Sequence, residues 1–508
     1  VLASCREKVV NPNDDLTLET YNSLDTTAYR LNSKKIRHEM ERLALSDSDS
    51  TWADARVRTY YLRHGKMLWV NRLGADWRAD SVLARLKTVE SIGFSQEKFC
   101  VPQIESDLQR MRDLRFDDST NTSNRVYARL EYYLTKGYLR YVAGQRFGFV
   151  NPSKLFNRLD VHTQDSLRVT YRRLFDLPIQ HPGPKFFAMA LNQVSNDSVV
   201  AFMDRVQPES PFYHNLLQRL RDGKVEPWGR ANILVNMERC RWRMPDYPQS
   251  HSKYILVNIP SFKLQAVDGK DTLTMRIGCG TFETKTPLLV SQVKRMDLNP
   301  QWILPKSIVK KSVLNHLGNR AYFESRRFFI RERKTGKTVD IGNVTAPMLL
   351  GGDYLVIQEG GEGSALGRII FRFDNKFSVY LHSTSQPGVF SREDRGVSHG
   401  CIRVEKPFDL AVFMLEKKDP KVIRKIGYSM QADVSPLGKR REDMSEEQQQ
   451  VADTLQRNLL VGNIVVKPRV PLYILYFTLY PDANGNLRQY SDVYGYDRVT
   501  YDYLRNFI

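Results

Sequence analysis

Cysteine is scarce in this sequence: five residues in 508, at positions 5, 100, 240, 279 and 401, with no Cys-x-x-Cys pair among them. That spacing excludes a disulfide framework, although a single Cys100–Cys240 or Cys240–Cys279 bridge stays open. Histidine is nearly as sparse, with nine residues. His64, His162, His181 and His214 are scattered without metal-ligand spacing, so they read as structural, and neither a metal nor a cofactor is expected. No apolar run approaches the ~18 residues that would suggest a spanning helix; the apolar stretch 470–480 is too short and reads as a strand. Acidic residues are in deficit, 57 against 76 Lys and Arg, which leaves a formal charge of +19. Such a balance favours an anionic partner: nucleic acid, acidic lipid, or a cell-wall polymer with free carboxylates. The basic residues run along the whole chain, however, and no nucleic-acid recognition signature accompanies them, so no nucleic-acid partner is expected.

What is present is globular material for two or three domains with sizeable cores, and one stretch that concentrates chemistry. Residues 380–403 read Tyr-Leu-His-Ser-Thr-Ser-Gln-Pro-Gly-Val-Phe-Ser-Arg-Glu-Asp-Arg-Gly-Val-Ser-His-Gly-Cys-Ile-Arg. An apolar run over 377–381 ends at His382, as a buried strand ends at the rim of a site. Cys401 follows 19 positions later, far enough for a loop to return and bring thiol and imidazole together. A cysteine nucleophile needs that pairing, because the thiolate is the reactive form and an imidazole can take the proton. Gly400 lets the backbone approach a substrate carbonyl, so the Gly400 and Cys401 amides are candidate oxyanion donors. Taken singly, each residue has a plainer reading, a small buried hydrophobe for Cys401 and a satisfied polar group for His382. Their combination in Ser398-His399-Gly400-Cys401-Ile402-Arg403 favours catalysis.

This pattern resembles the YkuD-type L,D-transpeptidase catalytic domain, whose signature is a strand-end His followed by Ser-(His or Ser)-Gly-Cys-x-Arg. The layout is similar to the large periplasmic members that carry an N-terminal scaffold domain and an inserted lid. The resemblance implies Cys401 as nucleophile, His382 as general base, and the Ser383 main-chain carbonyl orienting the imidazole. It implies an oxyanion region at His399-Gly400-Cys401, with Tyr380, Ser398, Arg403 and Trp302 towards the substrate. Ser383 stands where many members have Gly; since the orienting atom is main-chain, little changes. Arg403 has two readings, a fork for a substrate carboxylate or a structural hydrogen bond. Trp302 packs either on a substrate stem or in a rim of the core.

The reaction implied is acyl transfer without metal or cofactor. Cys401 takes the acyl group of a peptidoglycan tetrapeptide stem, expels the terminal D-Ala, and passes it to a side-chain amine, giving a 3→3 cross-link. Carbapenem-type β-lactams are the expected covalent inhibitors, and the periplasm or cell envelope the expected location. Water as acceptor would make the protein an L,D-carboxypeptidase; a non-catalytic wall-binding protein is the third reading. Leu2-Ala3-Ser4-Cys5 resembles the end of a lipoprotein signal, with Cys5 as the lipidated, membrane-anchoring residue; the plainer reading is an incidental cysteine.

The fold class expected is α+β: a tether over 1–20, a helical scaffold over 21–225, and a mostly-β catalytic domain over 226–508. Asp80 is expected to cap a helix through Val89, with Gly93 ending it after Ile92. Val126, Leu130, Tyr133, Leu134 and Tyr141 form a second apolar face. Further helices are expected over 166–175, 197–206, 213–220 and 231–244. Residues 222–228 join the two domains directly, leaving no room for a separate wall-binding module. Strands follow over 253–265 and 272–278, joined at Asp268-Gly269. The basic stretch 306–355 reads as an inserted lid, or else as a solvated loop without a gating role. Strand 369–373, an amphipathic helix over 407–416, and a terminal hairpin of 470–480 with 490–496 complete the layout. The turn at Asp482-Ala483-Asn484-Gly485 lacks the full calcium-loop pattern. A position for Cys401 near the start of the 407–416 helix would lower its thiol pKa.

Overall fold

The computed structural model describes residues 30–508 apart from 118, 166–167, 224–226, 438 and 483. Cys5 and the 1–20 tether lie outside the described residues, as does part of the 222–228 connection. The chain is α+β, with a helical N-terminal region followed by a mostly-β region. Its two compact units are not separated by one cut. One comprises the described residues up to Leu155 with Ile179–Pro245 and Gly495–Ile508; the other comprises the described residues of Phe156–Pro178 and Asp246–Tyr494.

The helical unit is built around Ser123–Phe147, a 25-residue helix buried on almost every side. Its apolar positions Val126, Leu130, Leu134, Tyr138 and Tyr141 are each at most 2% exposed. One buried carboxylate organises the segment beside it. Glu131 accepts the main-chain N–H groups of Leu68, Trp69 and Val70 at 2.6, 2.9 and 3.2 Å and the Tyr61 hydroxyl at 2.8 Å. A buried acceptor surrounded by donors avoids the penalty that an unpaired one would carry. The helix expected from Asp80 begins earlier, at Trp77, because Asp76 caps it by accepting from Arg78 N. Asp80 lies in the first turn and pairs with Arg112, while Gly93 ends the following turn with φ +92°. Pro227–Arg241 is helical as expected but packs within this unit. Its Arg239 and Asn232 both meet Asp497 of the final helix, Tyr496–Leu504, at 2.6 Å.

In the β unit the main strands are β1 (Phe175–Asp176), β2 (Lys253–Asn258), β3 (Lys263–Asp268), β4 (Asp271–Gly280), β5 (Leu288–Leu298), β6 (Ile369–Phe373), β7 (Leu381–His382), β8 (Gly396–Ser398), β9 (Ile402–Val404) and β10 (Asn463–Leu475). Their order is β6-β7-β9-β4-β3-β2-β10-β5-β1, with β8 alongside β4. Since β6 also pairs with β5, the sheet closes on itself like a barrel. Gly269, at φ +61°, makes the two-residue turn between β3 and β4.

Several expectations fail here for local reasons. Residues 168–171 form a strand with Val161–Asp165, not a helix, since Val169 and Thr170 are β-branched and alternate across a ladder. The expected strand 253–265 is two strands, broken where Phe262 turns back at φ +48°. The 470–480 segment is no terminal hairpin strand: most of it belongs to β10, between β2 and β5. The hairpin that does follow joins Leu479–Pro481 to Leu487–Gln489, and Asp482 accepts the N–H groups of Asn484 and Asn486 at its turn. Cys100, Cys240 and Cys279 are free thiols, so neither open bridge forms.

The 306–355 insertion is folded. Strands Trp302–Ile303, Tyr354–Gln358, Phe328–Glu332 and Thr338–Val339 make a four-stranded sheet. Leu304, Val309, Val313, Phe323, Ile330, Val344, Leu349 and Val356 bury a core of their own. Lys306, Lys310 and Lys311 remain on the surface, so the basic character belongs to the outside of a packed subdomain and not to a loose loop.

Candidate active site

Parallel pairing of β7 with β9 sets Leu381 beside Ile402 and His382 beside Arg403. Side chains alternate along a strand, so Tyr380, His382, Cys401 and Arg403 share one face and Leu381 and Ile402 the other. His382 and Cys401 stand diagonally across two neighbouring strands. The strand that ends at His382 is only two residues long, Leu381–His382, against the expected run from 377. Asn375 captures the chain there: its Oδ1 accepts from Phe377 N and Val379 N at 2.9 and 3.2 Å. Ser378 is thereby held at φ +55°, uncommon for a residue with a Cβ. Its carbonyl lies 4.0 Å from Cys401 Sγ. The thiol thus meets main-chain groups, this carbonyl and the Tyr380 main chain.

His382 is 4% exposed, and its Nδ1 sits 2.6 Å from the Ser383 carbonyl. A carbonyl only accepts, so Nδ1 carries the proton and Nε2 keeps the lone pair. Burial lowers the imidazole pKa to about 4, against the pull of the Ser383 and Leu366 main chain, and the Arg403 charge adds repulsion. Cys401 moves the opposite way from the helix-start expectation. Burial raises its thiol to about 11, with the Tyr380 main chain and Arg403 pulling only partly back. At neutral pH the pair is thus neutral thiol and neutral imidazole, a base ready to accept but no standing ion pair.

The turn around Cys401 is closed by its own side chains. Ser398 Oγ donates to the Cys401 carbonyl at 2.6 Å and accepts the Gly400 N–H at 3.0 Å. Two expectations change here. Ser398 braces the turn through its hydroxyl, and the Gly400 N–H is already engaged by it, which leaves the Cys401 N–H as the candidate oxyanion donor. Gly400 itself sits at φ +118°, where a side chain is strained. His399 is exposed; loss of hydration, then the Lys311 and Arg403 charges, lower its pKa. Arg403 is half-buried, its Nη1 3.4 Å from Gln386 and its Nε without a partner. Tyr380 is half-buried with the Arg372 guanidinium 5.3 Å from its ring. Trp302 packs against the core of the inserted subdomain, so the structure does not gather it with the Cys401 face.

The sequence reading missed what the Ser383 side chain does. Its hydroxyl accepts from Arg368 N at 2.6 Å and Ile369 N at 3.0 Å, anchoring the segment before β6 to the residue that orients His382. Gly367 makes this approach possible: at φ +64°, an added Cβ would fall 2.3 Å from Ser383 Oγ. Gly367→Ala is expected to destabilise the protein by about 2–4 kcal/mol, combining overpacking with left-handed strain. Urea unfolding measures this, and a loss under about 0.5 kcal/mol would show that the loop relaxes freely.

Among the described residues, no helix is long and apolar enough to cross a membrane and no cluster has the make-up of a metal site. Residues 252–423 match the family model described as the L,D-transpeptidase catalytic domain (YkuD), and residues 54–220 match the Scaffold domain. The chain is also 26% identical over 328 residues to a Haemophilus influenzae protein named "Putative L,D-transpeptidase". That similarity covers 63% of this chain and 59% of the relative's length. With the strand-end histidine and the Ser-His-Gly-Cys-Ile-Arg turn inside the matched region, the chain carries a YkuD-type L,D-transpeptidase catalytic domain preceded by a scaffold domain.

Proposed function

We propose that this protein forms 3→3 cross-links between peptidoglycan stems through a Cys401 thioester. The observation that carries the reading is the common face of β7 and β9, where a neutral, Nδ1-anchored His382 lies diagonally from Cys401 with Arg403 beside it. In the first step His382 Nε2 takes the thiol proton as sulfur attacks the acyl carbonyl of a tetrapeptide stem. The carbon–nitrogen bond to the terminal D-Ala breaks, and the imidazolium returns the proton to its departing amine. In the second step a stem side-chain amine attacks the thioester and gives its proton to His382. The carbon–sulfur bond breaks, and the imidazolium reprotonates the leaving sulfur. Cys401 N–H faces the charge that develops on the carbonyl oxygen. Arg403, whose Nε has no protein partner, supplies a fork for a stem carboxylate.

The folded insertion serves as a lid that excludes water and favours transfer over hydrolysis. Carbapenems acylate the same sulfur, the positive charge suits a carboxylate-rich wall, and the working location is the bacterial envelope. Anchoring through a lipidated Cys5 fits that location. The test is product analysis on tetrapeptide muropeptides with and without a stem amine. Cross-linked dimer with release of D-Ala supports the reading. Tripeptide alone in both cases would make the enzyme an L,D-carboxypeptidase, and no product with no carbapenem adduct would leave a wall-binding protein.

A further inference from the structure

The catalytic-domain similarity ends at residue 423, yet the turn presenting Cys401 is tied to a residue well beyond it. Tyr494 is 2% exposed, with its hydroxyl 2.9 Å from the Gly280 carbonyl and 3.0 Å from Thr286 N. The ring is itself held, for Tyr494 N donates to the Tyr476 hydroxyl at 2.9 Å and the two rings stack at 5.8 Å. Thr286, fully buried, accepts the Gly280 N–H at 2.9 Å and donates its hydroxyl to the Gly400 carbonyl at 2.9 Å. The loop between is drawn tight: a Cβ on Gly280 would fall 2.0 Å from the Thr284 carbonyl. Thr284 adds a parallel tie, donating to the Ser398 carbonyl at 2.7 Å.

The chemistry of that last Thr286 bond decides its meaning. The Gly400 carbonyl and the Cys401 N–H belong to one planar peptide, in which C=O and N–H point in opposite directions. Whatever holds the carbonyl therefore aims the N–H. With the Gly400 N–H engaged by Ser398, the Cys401 N–H is the donor whose direction matters most to an oxyanion. We propose that Thr286 and Tyr494 are positioning residues: Tyr494 fixes the Gly280–Thr286 loop, and Thr286 fixes the Gly400–Cys401 peptide so that its N–H meets the acyl oxygen. The catalytic machinery then extends into the C-terminal segment. This rests on the cysteine acyl-enzyme reading above.

The experiment is the rate of covalent adduct formation with imipenem on the full chain, followed by intact mass as a function of imipenem concentration. Thr286→Val, Thr286→Ser and Tyr494→Phe are compared with wild type, each rate referred to its folded fraction. The expected result for Thr286→Val and Tyr494→Phe is a fall of about 10- to 100-fold in the saturating rate. The half-saturating concentration stays unchanged, and Thr286→Ser restores the rate. Wild-type saturating rates in both Thr286→Val and Tyr494→Phe would overturn the proposal. So would a loss that Thr286→Ser fails to restore, since that marks a packing role. If Tyr494→Phe does not fold, the Thr286 pair still decides. Absence of any adduct on wild type would overturn the cysteine reading itself, a different failure.

Discussion

Cys401→Ala is expected to abolish covalent acylation while leaving the protein folded. Removing a hydrolase nucleophile costs on the order of a million-fold in turnover, which places the variant below detection in both muropeptide and carbapenem assays. The fold should survive because the thiol meets only main-chain groups, the Ser378 carbonyl at 4.0 Å and the Tyr380 main chain. The turn is instead closed by Ser398, Thr284 and Thr286, all retained. Losing one half-buried sulfur costs about 1 kcal/mol or less. The Ser-His-Gly-Cys-Ile-Arg turn presents Cys401 alone among the cysteines, and Cys279 is fully buried with its sulfur 3.4 Å from the Tyr494 hydroxyl. Intact mass after incubation with a carbapenem reads the outcome. One adduct on wild type and none on Cys401→Ala is expected, whereas equal labelling of both would place the nucleophile elsewhere.

His382→Gln is expected to slow acylation by about 10²- to 10⁴-fold, the usual contribution of a general base. Its pH dependence identifies the group. With the imidazole at about 4, the wild-type rate should hold level down through pH 6.5 and fall only near 4. A buried imidazole also leaves a mark on stability. Its folded pKa lies below the ordinary 6.5, so between 6.5 and about 4 the unfolded chain binds a proton that the folded chain refuses. Stability is therefore full above 6.5, declines as pH falls through that window, and levels off below about 4. The drop is about 3 kcal/mol. Urea unfolding of wild type against His382→Gln isolates it by difference. Parallel curves for the two proteins between pH 6.5 and 4 would mean that His382 titrates normally.

The local chemistry was legible where residues act on near neighbours in sequence. The Ser-His-Gly-Cys-Ile-Arg turn, the strand-end histidine and the Ser383 carbonyl all lie within 380–403. So was the helix-then-strand order, because periodicity changes from 3.6 to 2 after residue 245. What stayed hidden depends on long-range closure. Nothing near Tyr494 in sequence announces Gly280, and nothing near Thr286 announces its bond to Gly400. Ser383 was read for its main chain, since only the packed structure brings Arg368 N and Ile369 N to its hydroxyl. The direction of the Cys401 shift was missed because a motif shows neighbours in line, whereas burial comes from neighbours in space. Residues 168–171 were misread because a four-residue strand is too short for periodicity to separate from helix.

The interleaving of the two units carries a consequence for how the chain is made. The helical unit is nearly complete once residue 245 has been synthesised, yet Arg239, 5% exposed, waits for Asp497. Phe507 must likewise arrive before it can join Phe94, Phe99 and Phe149. About 250 residues of β unit emerge in between, so that unit has time to fold before its predecessor can close. Part of the helical unit's core is thus completed only after the β unit has been made, and Arg239 meets Asp497 only when the 496–504 helix docks.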